Sequence, residues 1–146
     1  MITFVIPGKP HAWQRRDKHG RTPPATRAWE KLVAQHAAAA SGGIRGLRVP
    51  LRLDATFIFA RPKNPTHPET GTTKTPTGER YELPPGRSPY WPTPDRDNLI
   101  KGVMDGITQA KIWRDDCYVC DGSNPKYYAA IGEQPHTTVT ITRITQ

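Results

Sequence analysis

The sequence predicts a small α+β domain in which a mixed sheet carries two main helices. Three observations predict it. The chain has 146 residues, a length that suits one domain with a real core. Segments that alternate apolar and polar residues occur near both ends and in the middle, the period of half-buried strands. Between them lie two stretches with apolar residues at helical spacing. The order is strand, helix, strand, helix and then two or three strands, which fits α+β or a small mixed α/β fold. One domain over residues 1–146 accounts for all of it, and no internal repeat is present.

Ile2–Ile6 is a short β-rich run ended by Pro7-Gly8, so the chain starts with a strand. Residues 9–27 carry Lys9, Arg15, Arg16, Lys18, Arg21 and Arg27 against one acid, Asp17, with Trp13, His11 and His19 interleaved. Gly20, Pro23-Pro24 and the lack of an apolar period make this segment a loop. Thr26 suits the N-cap of a helix that runs to about Ala40, with Trp29, Leu32, Val33, Ala37 and Ala40 inward and Ser41-Gly42-Gly43 as its stop. Val49–Phe59 alternates, with Leu51, Leu53, Ala55, Phe57 and Phe59 on one side and Arg52, Asp54 and Thr56 on the other, as a half-buried strand does.

Residues 61–94 hold nine prolines and almost no periodicity, which predicts a long basic loop, either solvated or folded onto a polyanion. Asp97 or Asn98 then caps a second helix to about Gln109. Leu99, Ile100, Val103, Met104 and Ile107 form its apolar face, with Lys101, Gly102 and Asp105 opposite. Ile112-Trp113 packs on the core, and Cys117–Asp121, Lys126–Ile131 and Thr137–Ile144 read as strands. Trp13, Tyr90 and Trp91 read as packing residues ahead of base-stacking ones.

The formal charge of +8 and a pI near 9.8 point to a polyanionic partner, nucleic acid first. No apolar run approaches the roughly 18–20 residues needed to span a bilayer, and no basic amphipathic helix favours a membrane surface. Without a basic segment before its short apolar start, the N-terminus does not read as a signal peptide, so the expected location is cytoplasmic. Cys117 and Cys120 form a lone C-x-x-C followed only by His136. They read as small hydrophobes in a reduced protein and not as half of a zinc site.

Residues 94–116 concentrate five of the thirteen acids: Asp95, Asp97, Asp105, Asp115 and Asp116. Two like charges about 4 Å apart repel by roughly 4 kcal/mol at an effective dielectric near 20. A fold that gathers them usually holds a cation there. Asp95 and Asp97, two apart in a segment leading into a helix, point the same way if that segment is extended. One of Asp115 and Asp116 can join them if the following strand returns the chain to the same edge. Hard oxygen ligands suit Mg²⁺, with Mn²⁺ as a substitute. Lys101, one turn after Asp97, either pairs with it as an ordinary surface couple or offers charge to a phosphate. A structural Ca²⁺ loop fails, because the positions that need Gly and Glu hold Ile100 and Gly106.

These residues carry a resemblance. Pro94-Asp95-Arg96-Asp97-Asn98-Leu99-Ile100-Lys101, then Asp105-Gly106-Ile107, then Trp113-Arg114-Asp115-Asp116 resembles the signature of the RusA family of Holliday-junction resolvases. Lys126 matches a family lysine, and Ile6-Pro7-Gly8-Lys9-Pro10 is similar to the family's opening. The resemblance implies a homodimeric Mg²⁺-dependent endonuclease that cuts four-way DNA junctions in recombination and repair, often phage- or prophage-encoded. It implies work on DNA in the nucleoid or a phage-infected cell, with no nucleotide cofactor. It further implies that Asp95, Asp97 and Asp116 are metal-binding catalytic carboxylates with Asp115 beside them. Lys101 is then an essential basic residue near the scissile phosphate, and Lys126 a DNA contact. The basic residues Lys9, Arg15, Arg16 and Lys18 complete the expected DNA-binding set. The chain departs from the pattern at Ala110-Lys111, where many members have Gly, near Tyr118, and in the length of the 61–94 excursion. Two other classes stay open at this stage: a non-catalytic architectural DNA-binding protein, and a metal-dependent phosphohydrolase of small substrates.

Overall fold

The computed structural model describes residues 1–63, 71–75 and 77–145. Its main sheet has six strands. β1 (Ile2–Pro7), β8 (His136–Arg143), β2 (Leu51–Phe59), β7 (Lys126–Tyr128) and β5 (Ser88–Pro89) lie side by side in that order, and β6 (Val119–Asp121) also pairs with β2. β1–β8, β8–β2 and β7–β5 are antiparallel, while β2 meets β6 and β7 in parallel, so the sheet is mixed as expected.

Two helices cover one face, α1 (Pro24–Ala40) and α2 (Arg96–Gln109). Ile2, Phe4 and Ile6 of β1, Leu53 and Phe57 of β2 and Val139 and Ile141 of β8 meet Trp29, Val33, Leu99, Val103 and Ile107 in one buried cluster. The alternation of β1 is clean, with its odd-numbered residues exposed. The other face shows polar residues, where Arg52 Nη1 bonds Asp121 at 2.6 Å and Nε bonds Asp54 at 2.9 Å.

Several boundaries differ from the sequence reading for identifiable reasons. α1 starts at Pro24, with Pro23 as its extended N-cap. Proline fits the first helical position because its missing N–H would be unpaired there anyway. Thr26 therefore lies inside the helix, fully buried. β2 begins at Leu51, after Pro50. The N-cap position of α2 is Asp95, so Asp97 and Asn98 already sit in the first turn. Asp115 and Asp116 do not start a strand: Asp115 caps a 3₁₀ turn over Asp116–Tyr118, and β6 follows it.

Gly102 and Gly106 lie against α1, which corrects the placement of Gly102 on the outer side of its helix. A Cβ on Gly106 would stand 2.5 Å from Val33 Cβ, and one on Gly102 would stand 3.3 Å from Trp29 Cδ1. The two glycines let the helices approach closely.

The 61–94 segment is more ordered than a loop where it is described; residues 64–70 and 76 lie outside the described residues. β3 (Gly71–Lys74) and β4 (Arg80–Leu83) form a hairpin. Arg61 fixes the return of the chain by donating to the carbonyls of Leu83, Pro84, Gly86 and Ala129 at 2.8–3.2 Å. Tyr90 stacks on Phe59 at 4.0 Å, and Trp91 meets Tyr81 and Tyr128 edge-on. Tyr90 and Trp91 thus pack, as their sequence context suggests.

Candidate active site

The basic arm over residues 9–23 is pinned onto the start of α2. The Trp13 amide donates to the Asn98 carbonyl at 2.9 Å. His11 Nε2 lies 3.2 Å from the Thr26 hydroxyl, which donates to Gln14 Oε1. Burial and the nearby Lys9 lower the His11 pKa, which favours the neutral ring in this network. Asp17 organises the tip of the arm by accepting from the amides of His19 and Arg21. Lys9, Arg15, Arg16 and Lys18 are all exposed along it.

Beneath the arm runs one face of α2. Asp97, Lys101 and Asp105 recur every fourth residue, which stacks them along the helix. The Lys101 ammonium sits 4.8 Å from the centre of the Trp13 ring, a cation–π contact that ties arm to helix. A cavity of about 440 Å³ opens here, lined by Trp13, Arg16, Glu30, Lys101 and Asp105. A second, of about 390 Å³, lies on the other side of Trp13 and reaches Lys9, His11, Asp95 and Asn98.

The acids divide between the two ends of this face. Asp95 and Asp97 are exposed at the helix start, where the positive end of the macrodipole favours carboxylates. Asp97 accepts from the Asn98 amide at 2.9 Å. Asp115 and Asp116 are exposed on the 3₁₀ turn. The Cys117 amide donates to Asp115 at 2.8 Å and holds its pKa down. Asp105 is half-buried; burial raises its pKa, Lys101 opposes this, and the charge of Asp116 adds to it. Glu30 on α1 is buried behind it. Burial and then Asp105 push Glu30 upward, while Gln109 donates to it at 2.8 Å.

The family model described as endodeoxyribonuclease RusA matches residues 5–142. The chain belongs to the RusA family. RusA-family proteins are endodeoxyribonucleases that resolve Holliday junctions, act on branched DNA and generally use divalent metal ions. The two-helix, mixed-sheet fold is the one this RusA family is expected to have. Among curated proteins, none matches the chain. No helix among the described residues is long and apolar enough to cross a membrane.

Within this RusA-family site, Asp116 lies close enough to Asp105 for its charge to be felt there, while Lys126 feels the charge of Asp95. Asp95, Asp97 and Asp116 are not gathered into one cluster: among the described residues, no three His, Cys, Asp or Glu side chains converge to hold a metal. The alternation argument for Asp95 and Asp97 does not apply, because Asp97 has helical backbone. The donor chemistry nonetheless fits a hard divalent ion. Mg²⁺ keeps several waters and takes only one or two carboxylates besides substrate phosphate, and both acid pairs face solvent.

Lys126 holds a structural position. Its ammonium donates to the carbonyls of Pro92 and Pro94 at 2.8 Å each and lies over the Tyr90 ring. Burial lowers its pKa. It thereby fixes the approach of the chain to Asp95.

Cys117 and Cys120, read as small hydrophobes in a reduced protein, are free and both exposed, so they pack little apolar surface. The 3₁₀ turn lifts Cys117 off the sheet. Sequence reasoning missed Asp105 and Glu30 as site residues. The four-residue stripe on α2 could have revealed Asp105. Glu30 reaches the site only through the packing of α1 on α2.

Proposed function

We propose that this RusA-family protein is a Mg²⁺-dependent homodimeric endonuclease that cuts four-way DNA junctions in recombination and repair, in a bacterial or phage-infected cell. The observation that carries this reading is the Asp97–Lys101–Asp105 face of α2 lying under a cationic arm, with Lys101 against Trp13. Asp97 and Asp115 each accept one backbone amide, yet Asp95, Asp97, Asp115 and Asp116 all stay exposed to solvent in a chain of net charge +8.

Asp95, Asp97 and Asp116 are the residues that would hold the ion, with Asp115 beside Asp116. A bound Mg²⁺ supplies Lewis-acid polarisation of the phosphate and a more acidic water. The chain's own groups do the rest. Lys9, Arg15, Arg16 and Lys18 on the arm neutralise flanking phosphates. Lys101 adds positive charge beside the scissile phosphate, and the Trp13 ring excludes water from one side of it, which strengthens the interaction. Lys126 acts from behind, by holding the Pro92–Pro94 segment that positions Asp95. Two such sites in a two-fold dimer suit a junction with two-fold symmetry.

The test is cleavage of a labelled synthetic four-way junction beside linear duplex, with Mg²⁺ or with EDTA. Wild type is expected to give paired symmetric nicks only on the junction and only with metal. Asp97→Asn is expected to cut about a hundredfold more slowly, or worse, while still binding the junction. Metal-independent binding without cutting by wild type would leave an architectural role, and undiminished cutting by Asp97→Asn would sink the site assignment.

A further inference from the structure

Past the C-terminal end of α2, three cations line a third concavity. Arg45, Lys111 and Arg114 line a cavity of about 480 Å³ with Gly46, Thr108 and Trp113. All three cations are exposed, and none forms an ion pair among the described residues.

The backbone beneath them is built firmly. Gly46 N donates to Lys111 O, Leu47 N to Ile112 O, and Arg114 N to Leu47 O, each at 2.9 Å. These bonds clasp the 45–47 segment alongside 111–114, with Leu47 and Trp113 paired in parallel. Trp113 is a buried floor, and its indole N–H donates to Thr108 Oγ1 at 2.7 Å. That hydroxyl in turn donates to Met104 O at 2.9 Å. The floor's polar groups are therefore used up, and the cations are left to face outward.

Lys111 has a φ of 58°, the one non-glycine residue with positive φ among the described residues. Glycine or asparagine takes this left-handed position without steric cost. A lysine held there is a departure of the kind that collects at working sites. Thr108 lines this cavity and also the one beneath Trp13 that contains Lys101 and Asp105. Arg114 immediately precedes Asp115 and Asp116. The Asp115 carboxylate accepts from the Cys117 amide and forms no ion pair with the cradle's cations among the described residues.

We propose that Arg45, Lys111 and Arg114 form a second phosphate cradle, which grips the DNA backbone on the opposite side of the carboxylates from the basic arm. The inference rests on the nuclease reading above. Guanidinium groups offer forked donors to phosphate oxygens, and an ammonium adds a point charge. With the arm at one end of α2 and the cradle at the other, the acids lie along the strand path between two anchors.

The experiment is a salt titration of binding to a labelled four-way junction in EDTA, with the full-length protein. Wild type, Lys111→Gly, Lys111→Arg and the double variant Arg45→Gln/Arg114→Gln are compared. Each lost phosphate contact is expected to flatten the slope of log K against log salt by about 1. Lys111→Gly should bind several-fold more weakly with a melting temperature no lower than wild type, since glycine suits the backbone there. Lys111→Arg should restore wild-type binding. Unchanged affinity and slope in both Lys111→Gly and the double variant, with wild type binding normally, would overturn the cradle alone. A wild type that binds no DNA would overturn the nuclease reading and the cradle with it.

Discussion

Glu30 and Asp105 are carboxyl groups whose pKa burial raises; the charge of Asp105 adds to the shift of Glu30, and that of Asp116 to the shift of Asp105. An acid whose pKa is raised on folding contributes its stability in full below the ordinary carboxylate pKa of about 4. That contribution is lost as pH rises through the raised value. Glu30→Gln removes the charge and keeps an oxygen for the Gln109 donor. It is expected to melt at a higher temperature than wild type at pH 7, with the gap closing toward pH 4. Thermal denaturation at the two pH values checks this; a gap that does not change with pH would show that Glu30 is not an electrostatic liability. At this scale the sequence was partly legible. Asp97, Lys101 and Asp105 are visible as a stripe from their spacing alone. Thr26 was not, because Pro23-Pro24 moved the helix start ahead of it.

At the scale of elements, the contact between α1 and α2 depends on what is missing from Gly102 and Gly106. Gly106→Ala places a methyl 2.5 Å from Val33 Cβ and 2.9 Å from Glu30 O. The helices must separate, at a cost of about 1–3 kcal/mol for overpacking, partly offset by the roughly 1 kcal/mol by which alanine favours a helix. Urea denaturation is expected to show a net loss, and a net gain would mean the helices part freely. A second element-level lock joins the turn before β5 to the turn after β7. Arg87 Nη2 donates to Glu133 Oε2 at 2.6 Å, and Arg87 Nε also contacts that carboxylate. Arg87 pulls the Glu133 pKa down to about 2. A depressed acid contributes stability above its ordinary value near 4.5 and loses it as pH falls toward 2. Arg87 is 43% exposed, so solvent screens the pair, and Glu133→Gln is expected to cost only about 1 kcal/mol at pH 7. Chemical denaturation at pH 7 and pH 3 should show that cost shrinking with acid. The strands and helices themselves were readable from periodicity. The β3–β4 hairpin was not, because two four-residue strands inside a proline-rich segment are too short to carry a periodic signal, and their docking depends on Arg61 and distant aromatics.

For the whole molecule, the governing quantity is the distribution of charge. Exposed cations line the arm and the Arg45–Lys111–Arg114 concavity, while five of the thirteen acids are concentrated over residues 94–116. Binding to DNA should therefore be dominated by phosphate neutralisation and counterion release. The log–log slope of affinity against salt is expected to be about −3 or steeper. A slope near zero in a filter-binding or anisotropy titration would rule out a phosphate-dominated interface. Sedimentation of the full chain should show a dimer if two sites serve one junction.

The sequence by itself determined the α+β class, the two helices, the chain order of the strands outside residues 61–94, the acidic concentration at 94–116 and the family signature. Those properties are local: they depend on period, turn residues and residue type over short spans. Only the tertiary structure decided which acids meet. It set Asp116 within electrostatic reach of Asp105, brought Glu30 in from another helix and turned Lys126 inward onto the Pro92 and Pro94 carbonyls. It also drew Arg45 to Lys111 and Arg114. Each of these contacts joins residues far apart in the chain or depends on a backbone bend, and no periodicity encodes such a distance.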